Sequence, residues 1–310
     1  WDLNVDPKSR DSLKPFTGGV DLIAKSRKVF ERLSPELGEM FASMGDGSNT
    51  QGTANGAMLD LDSRRGKAPG GYLYFRDRTR RPFIFMNAAD QHRDVETMVH
   101  EAGHAFHSMF ANDESFVWYR SSPIEFAEVA SMTMELLTMP YWDEFYPNAE
   151  DANRARRKQF ESSISLLPWI ATIDAFQHWA YLNPNHTREE RANAWLELDN
   201  RFGTQGHHCD WSGLEEERKF VWQRQGHLFG NPFYYIEYGI AQLGALGIWL
   251  ISQEQGEAAA LAAYKKALSL GGSRPLPELF KAAGLPFDFG AETVGRLVDR
   301  VQSELEKLPE

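Results

Sequence analysis

The sequence contains one cysteine, Cys209, so no disulfide can form within the chain and its stability requires no oxidising compartment. A cytoplasmic location is therefore expected. Long apolar runs are also missing. The longest, around Ala241 to Ile251, falls well short of the roughly 20 residues needed to cross a bilayer, which excludes a helical membrane span. The amino end, Trp1 to Asp6, has neither the basic start nor the apolar core of a secretory leader. Positive charge is scarce: 33 Lys and Arg against 44 Asp and Glu leave a net charge of −11, which argues against broad binding to a phosphate backbone. The one dense basic run, Arg154 to Lys158, fits a solvated helix face. Internal repeats, low-complexity tracts and clear linkers are absent too.

What is present suits a large folded core: 42% hydrophobic and 25% charged residues in a chain of 310. Apolar spacing predicts helices at Val20–Leu33 and, after the N-cap and proline of Ser34-Pro35, to about Met44. Gly45 to Gly56 reads as a loop and a candidate lid. Two strands, Tyr72–Arg76 and Pro82–Asn87, flank a charged turn and predict a hairpin. Helices are then expected at Asp94–Phe110, Pro123–Met139, Ala149–Leu182 with a kink near Pro168, and Arg188–Phe202 behind a Thr187/Glu190 capping box. Further helices fit Leu214–His227, Tyr234–Ser252, Gly256–Ser269, Leu276–Ala283 and Ala291–Leu308. The expected fold is mainly α, one domain over 1–310, with a small β-sheet segment at 72–88, a helix pair at 94–139 and a helical body at 140–310.

The string His100-Glu101-Ala102-Gly103-His104 lies inside one of these helices. Residues four apart stand on one helix face, so both imidazoles can converge on one ion, and Glu101, offset by about 100°, can sit beside it. Catalytic zinc usually takes three protein ligands and keeps one position open. The next helix offers carboxylates at Glu125, Glu128 and Glu135 on one stripe of an otherwise apolar segment, where acids are costly to bury without a cation. His107 reads as packing or support. His207-His208-Cys209-Asp210 reads as structural, because adjacent loop residues rarely point at one ion. His92, His178 and His186 are isolated.

The metal string, followed by Glu128 within Glu-Phe-Ala-Glu-Val-Ala-Ser, resembles the thimet oligopeptidase and oligoendopeptidase F family of zinc metallopeptidases, the oligoendopeptidase F branch above all. Lys67-Ala68-Pro69-Gly70-Gly71-Tyr72, Pro82–Asn87 and the late segment His227–Tyr238 also match. The resemblance implies a zincin-like helical body and one zinc ion per chain, held by His100, His104 and Glu128. It implies Glu101 as the base that takes a proton from the attacking water and passes it to the leaving amine. It also implies substrate-facing His and Tyr residues in the late segment, of which His227, Tyr235 and Tyr238 are the candidates to stabilise the oxyanion.

Family members are nearly twice as long, so the resemblance implies a catalytic-half fragment, a processed chain or a minimal relative, without the family's amino-terminal half. The expected activity is cleavage of internal bonds in oligopeptides, with an exopeptidase or an inactive peptide-binding half as alternatives. Expected partners are an oligopeptide substrate and either the missing half or further copies of the chain, with neither nucleic acid nor membrane. Glu135 or Glu125 can orient a ligand histidine, Glu135 being preferred. Pro82–Asn87 is either a sheet edge that pairs with substrate backbone or a buried structural strand.

Overall fold

The computed structural model describes residues 6, 8–45, 57–203 and 208–309. All of the expected lid but Gly45, and His207 of the second histidine cluster, lie outside the described residues. The chain gathers into two compact units, a larger one of Ser12–Phe160 with Ala241–Glu310 and a smaller one of Trp1–Asp11 with Glu161–Ile240.

In the larger unit α1 (Gly18–Leu33) buries Leu22, Ile23, Val29, Phe30 and Leu33, the apolar face that its spacing predicts. Ser34 ends it in extended backbone, and Pro35 opens α2 (Pro35–Ala42). Phe30 is the meeting point, its ring 5.0 Å from Phe41 of α2 and 4.9 Å, edge-on, from Phe106.

Three strands follow: β1 (Leu59–Asp62), β2 (Tyr72–Arg76) and β3 (Arg81–Ala88). The expected hairpin is there, β2 pairing antiparallel with β3 from Tyr72↔Phe85 to Arg76↔Arg81. Arg80 takes the left-handed conformation that closes the turn, φ 54°. β1, which the sequence reading missed, pairs parallel with β3 and gives the order β1-β3-β2. This corrects the edge-strand reading of Pro82–Asn87: β3 is paired on both sides, and the sheet's free edge near the hairpin belongs to β2. β1 was hidden because its Leu-Asp-Leu-Asp pattern places an acid, Asp60, inside the protein, 6% exposed; that burial is offset by Arg64 at 2.6 Å and Lys67 at 2.9 Å.

Next in the larger unit come α3 (His92–Phe110) and α4 (Ile124–Leu137), followed by a 3-10 turn at Met139–Glu144. The chain continues in α5 (Ala149–Leu182), which carries Pro168 within it, and α6 (Arg188–Phe202). The capping box of α6 forms as its sequence predicts: Thr187 Oγ1 accepts from the Glu190 N–H, and the Glu190 carboxylate accepts from the Thr187 N–H. Ile173, Phe176, Trp195 and Trp222 make the core of the smaller unit.

The helix expected over Leu214–His227 is broken into α7 (Glu215–Arg218), a 3-10 turn at Val221–Arg224 and α8 (His227–Gly230). Two indoles account for the break. Trp195 Nε1 donates to the Arg218 carbonyl and Trp222 Nε1 to the Lys219 carbonyl, acceptors that a continuing helix would have used. The remaining helices are α9 (Ile236–Gln255), α10 (Glu257–Leu268), α11 (Leu276–Ala282) and α12 (Ala291–Leu305). Among the described residues no helix is long and apolar enough to cross a membrane.

Candidate metal centre

The centre is set by how closely α3 and α4 cross. A Cβ at Gly103 would lie 2.6 Å from the Ala130 carbonyl oxygen and 2.6 Å from Ser131 Cα, so only glycine allows the approach. Tyr264, buried on α10, donates to the same Ala130 carbonyl at 3.0 Å and ties a third helix to the crossing. The close crossing brings His100 and His104, one turn apart on α3, against Glu128 on α4.

Glu128 Oε2 stands 3.2 Å from His100 Nε2 and 3.5 Å from His104 Nε2. The two rings are 5.0 Å apart at 85°, and the three candidate ligand atoms all lie within 4.8 Å of one another. Donors about 2.1 Å from a tetrahedral zinc ion stand about 3.4 Å from each other, so the set fits zinc. Its electrostatics point the same way. Burial by itself would depress the pKa of His100, but hydrogen bonds to Glu128 and Glu135 outweigh it and raise the imidazole well above its ordinary value. Burial by itself would raise Glu128, yet the two histidines hold it well below the carboxylate range. Positive charge is favoured where the three side chains meet, whether carried by protons or by a metal ion.

Other side chains fix these three. The Glu135 carboxylate, which can only accept, lies 2.6 Å from His100 Nδ1, so that nitrogen carries a proton and Nε2 is the one turned to Glu128. The other Glu135 oxygen accepts from Gln159 at 2.7 Å. Ser131 Oγ donates to Glu128 Oε2 at 2.9 Å. Of the two carboxylates expected to orient a histidine, Glu135 makes the bond.

Glu101 is 5% exposed, its Oε2 has no hydrogen-bond partner among the described residues, and burial raises its pKa against the pull of the two imidazoles. His107 is buried with its ring 6.5 Å from Phe126, and burial pushes its pKa down to about 3. It packs, as expected. In the second histidine cluster Asp210 accepts from the backbone and hydroxyl of Ser212, a turn contact consistent with the structural reading.

The late segment forms a ring cluster in the smaller unit. His227 lies 5.7, 5.1 and 5.7 Å from Tyr234, Tyr235 and Tyr238, and Tyr235 lies 5.6 Å from Tyr238. Trp169, whose indole can only donate, bonds the Gln225 oxygen at 3.0 Å, which turns the Gln225 NH2 to His227 Nδ1 at 2.6 Å. Nδ1 therefore accepts, and the proton of the neutral ring sits on Nε2. Burial lowers the His227 pKa and raises that of Tyr235, so both favour their uncharged, donating forms.

Thus His100, Glu101, His104 and Glu128 meet in one unit, and His227, Tyr235 and Tyr238 meet in the other. The sequence reading missed Ser131, Gln159 and Gln225. Only Ser131 carried a local signal, standing one helical turn after Glu128.

A helix bearing H-E-x-x-H packed on a helix that offers an acid as third candidate ligand, within a mainly helical body, is a zincin-like arrangement. Residues 23–292 match the model of peptidase family M3, and the chain belongs to that family of metallopeptidases. Oligopeptidase PepF of Bacillus subtilis is 25% identical over 264 residues, covering 83% of this chain and 37% of that protein. Oligoendopeptidase F homolog of Borreliella burgdorferi is 27% identical over 210 residues, 64% of this chain and 34% of its own. The solved structure of PZ peptidase A with inhibitor 2 is 32% identical at a TM-score of 0.80, covering 94% of this chain and 50% of that one. The chain spans half or less of the length of these relatives.

Proposed function

We propose that this chain carries the catalytic machinery of a zinc-dependent endopeptidase that hydrolyses internal bonds of oligopeptides. The observation that carries the reading is the convergence of His100, His104 and Glu128, with the buried carboxylate of Glu101 one residue along α3 from His100. Names among the relatives, oligopeptidase and oligoendopeptidase, support the substrate class.

Zinc at this point, when bound, makes an attacking water more acidic and polarises the scissile carbonyl. His100, His104 and Glu128 are the residues that would hold it, with Glu135 and Ser131 fixing two of them. Glu101 takes the proton from the attacking water, and its raised pKa then suits it to pass that proton to the leaving amine. His227 Nε2–H and the phenols of Tyr235 and Tyr238 are donors suited to a developing oxyanion. Of the two edge strands among the described residues, β1 and β2, we assign to β2 the pairing with an extended peptide.

A second reading is that the chain binds metal and peptide but needs a further polypeptide to turn over. Metal content measured alongside cleavage of a quenched fluorescent oligopeptide blocked at both ends, before and after chelation, separates these readings. The endopeptidase reading expects zinc and chelator-sensitive cleavage. Zinc without cleavage supports the second reading, and cleavage only of peptides with a free terminus supports an exopeptidase.

A further inference from the structure

Between β1 and β2 the chain comes up against the metal helix at Gly71. A Cβ there would lie 2.9 Å from Thr97 Cγ2 and 3.4 Å from Glu101 Oε1. A side chain there fits only if the Thr97 and Glu101 side chains or the segment itself give way. The preceding Gly70 has φ +100°, a conformation that L residues rarely adopt. A Pro-Gly-Gly stretch would ordinarily be free to move, yet two polar side chains hold this one.

The first is Lys67, whose side chain is only 1% exposed. Its ammonium donates to Asp60 Oδ1 at 2.9 Å and reaches the carbonyls of Asp60 and Asp62, each at 3.0 Å, and Met86 at 2.5 Å. It also lies 4.5 Å from the centre of the Phe85 ring. Burying a lysine is costly unless its charge is matched. Here Asp60 and the carbonyls match it, and the start of the segment is fixed to both β1 and β3. The second is Asn87 on β3, whose Nδ2 donates to the carbonyls of Ala68, at 2.8 Å, and Gly70, at 2.9 Å. Both of its N–H bonds go to the segment. Buried Lys67 and bifurcated Asn87 thus hold Gly71 against Thr97 and Glu101 Oε1, while Glu101 Oε2 has no hydrogen-bond partner among the described residues.

We propose that Lys67 and Asn87 are positioning residues: they hold Gly70-Gly71 as a fixed lip that confines the Glu101 carboxylate to one setting. The inference rests on the reading of Glu101 as the base. Misplacing a reacting group by a fraction of an ångström is enough to slow turnover without weakening metal binding.

The test is a steric suppressor. Gly71→Ala should lower kcat by about tenfold or more with KM and zinc content unchanged. Thr97→Ser removes the Cγ2 that the new methyl meets but keeps the hydroxyl that donates to the Arg93 carbonyl. It should be near wild type alone and restore most of the lost kcat in the double variant. Undiminished kcat in Gly71→Ala, or a loss that Thr97→Ser leaves in place, overturns the proposal.

Amide hydrogen exchange tests the anchors without activity. Asn87→Ala, and Lys67→Met where it folds, should speed exchange of the residue 67 amide, whose N–H bonds the Arg64 carbonyl at 3.1 Å, by about tenfold, with α3 still protected. Unchanged exchange in Asn87→Ala overturns the anchoring. A wild-type chain that binds zinc but cleaves nothing supports the reading in which a further polypeptide is needed, and the exchange result still decides whether the lip is held.

Discussion

The metal helix pair and the ring cluster at His227–Tyr238 place their side chains by opposite means. On α3 and α4 each candidate ligand is half-buried or buried, and His100 and Glu128 each have a second side chain bonded to them. The helices are locked by a glycine against a carbonyl. In the cluster the rings are half-buried and lean on each other, and one neutral amide, Gln225, sets the tautomer of His227. Charge accounts for the difference. A buried carboxylate and two imidazoles demand fixed partners, whereas uncharged donors need only face the right way. The candidate ligands and the residues that brace them should therefore answer to mutation in metal binding and stability, and Glu101 and the ring cluster in turnover alone.

The largest effect sharpens the contrast from within the helix pair: Glu101→Gln should retain zinc and lose turnover on the order of 10³-fold, read by metal analysis and steady-state kinetics. In the cluster, Tyr238→Phe and His227→Gln should each lower kcat by about 10²-fold while zinc content and thermal midpoint stay as they are. A loss of zinc in either cluster variant would break the comparison. Glu135→Ala leaves His100 Nδ1 without its acceptor and should weaken zinc affinity by about 10- to 100-fold in a chelator competition. Gly103→Ala should destabilise the chain by about 1–3 kcal/mol in denaturant unfolding, because the methyl has nowhere to go at the α3–α4 crossing.

The smallest effect at neutral pH comes from His107. Its folded pKa, about 3, lies below the unfolded value of 6.5, so the unfolded chain takes up a proton that the folded chain refuses. Stability from this group is complete above pH 6.5 and is lost as pH falls toward 3, at about 1.4 kcal/mol per pH unit. His107→Leu should flatten the decline of stability between pH 6.5 and 5 relative to wild type. Parallel declines in the two proteins would remove the buried imidazole as its source.

Legibility in the sequence followed the range of the determining contact. β2, the span of α5 and the capped start of α6 are set by local spacing and caps, and they were readable to the residue. The break after Glu215–Arg218 comes from an indole on α6, more than twenty positions away, and no local pattern announces it. β1 was obscured because its buried acid makes sense only once Arg64 and Lys67 fold back on it. At the metal centre the histidine pair was legible from its own helix. The choice of Glu128 among three acids came from resemblance, since all three share a face of α4. Gln159 and Gln225 left no mark, because a neutral amide is unremarkable until the structure shows which ring or carboxylate it meets.

The account stands on three side chains sharing one ion. Zinc stoichiometry by native mass spectrometry, on wild type, Glu101→Gln and Glu128→Ala prepared alike, tests it most directly. One zinc in the first two and none in the third is the predicted result. Full zinc occupancy in Glu128→Ala, or no zinc in wild type, would contradict it.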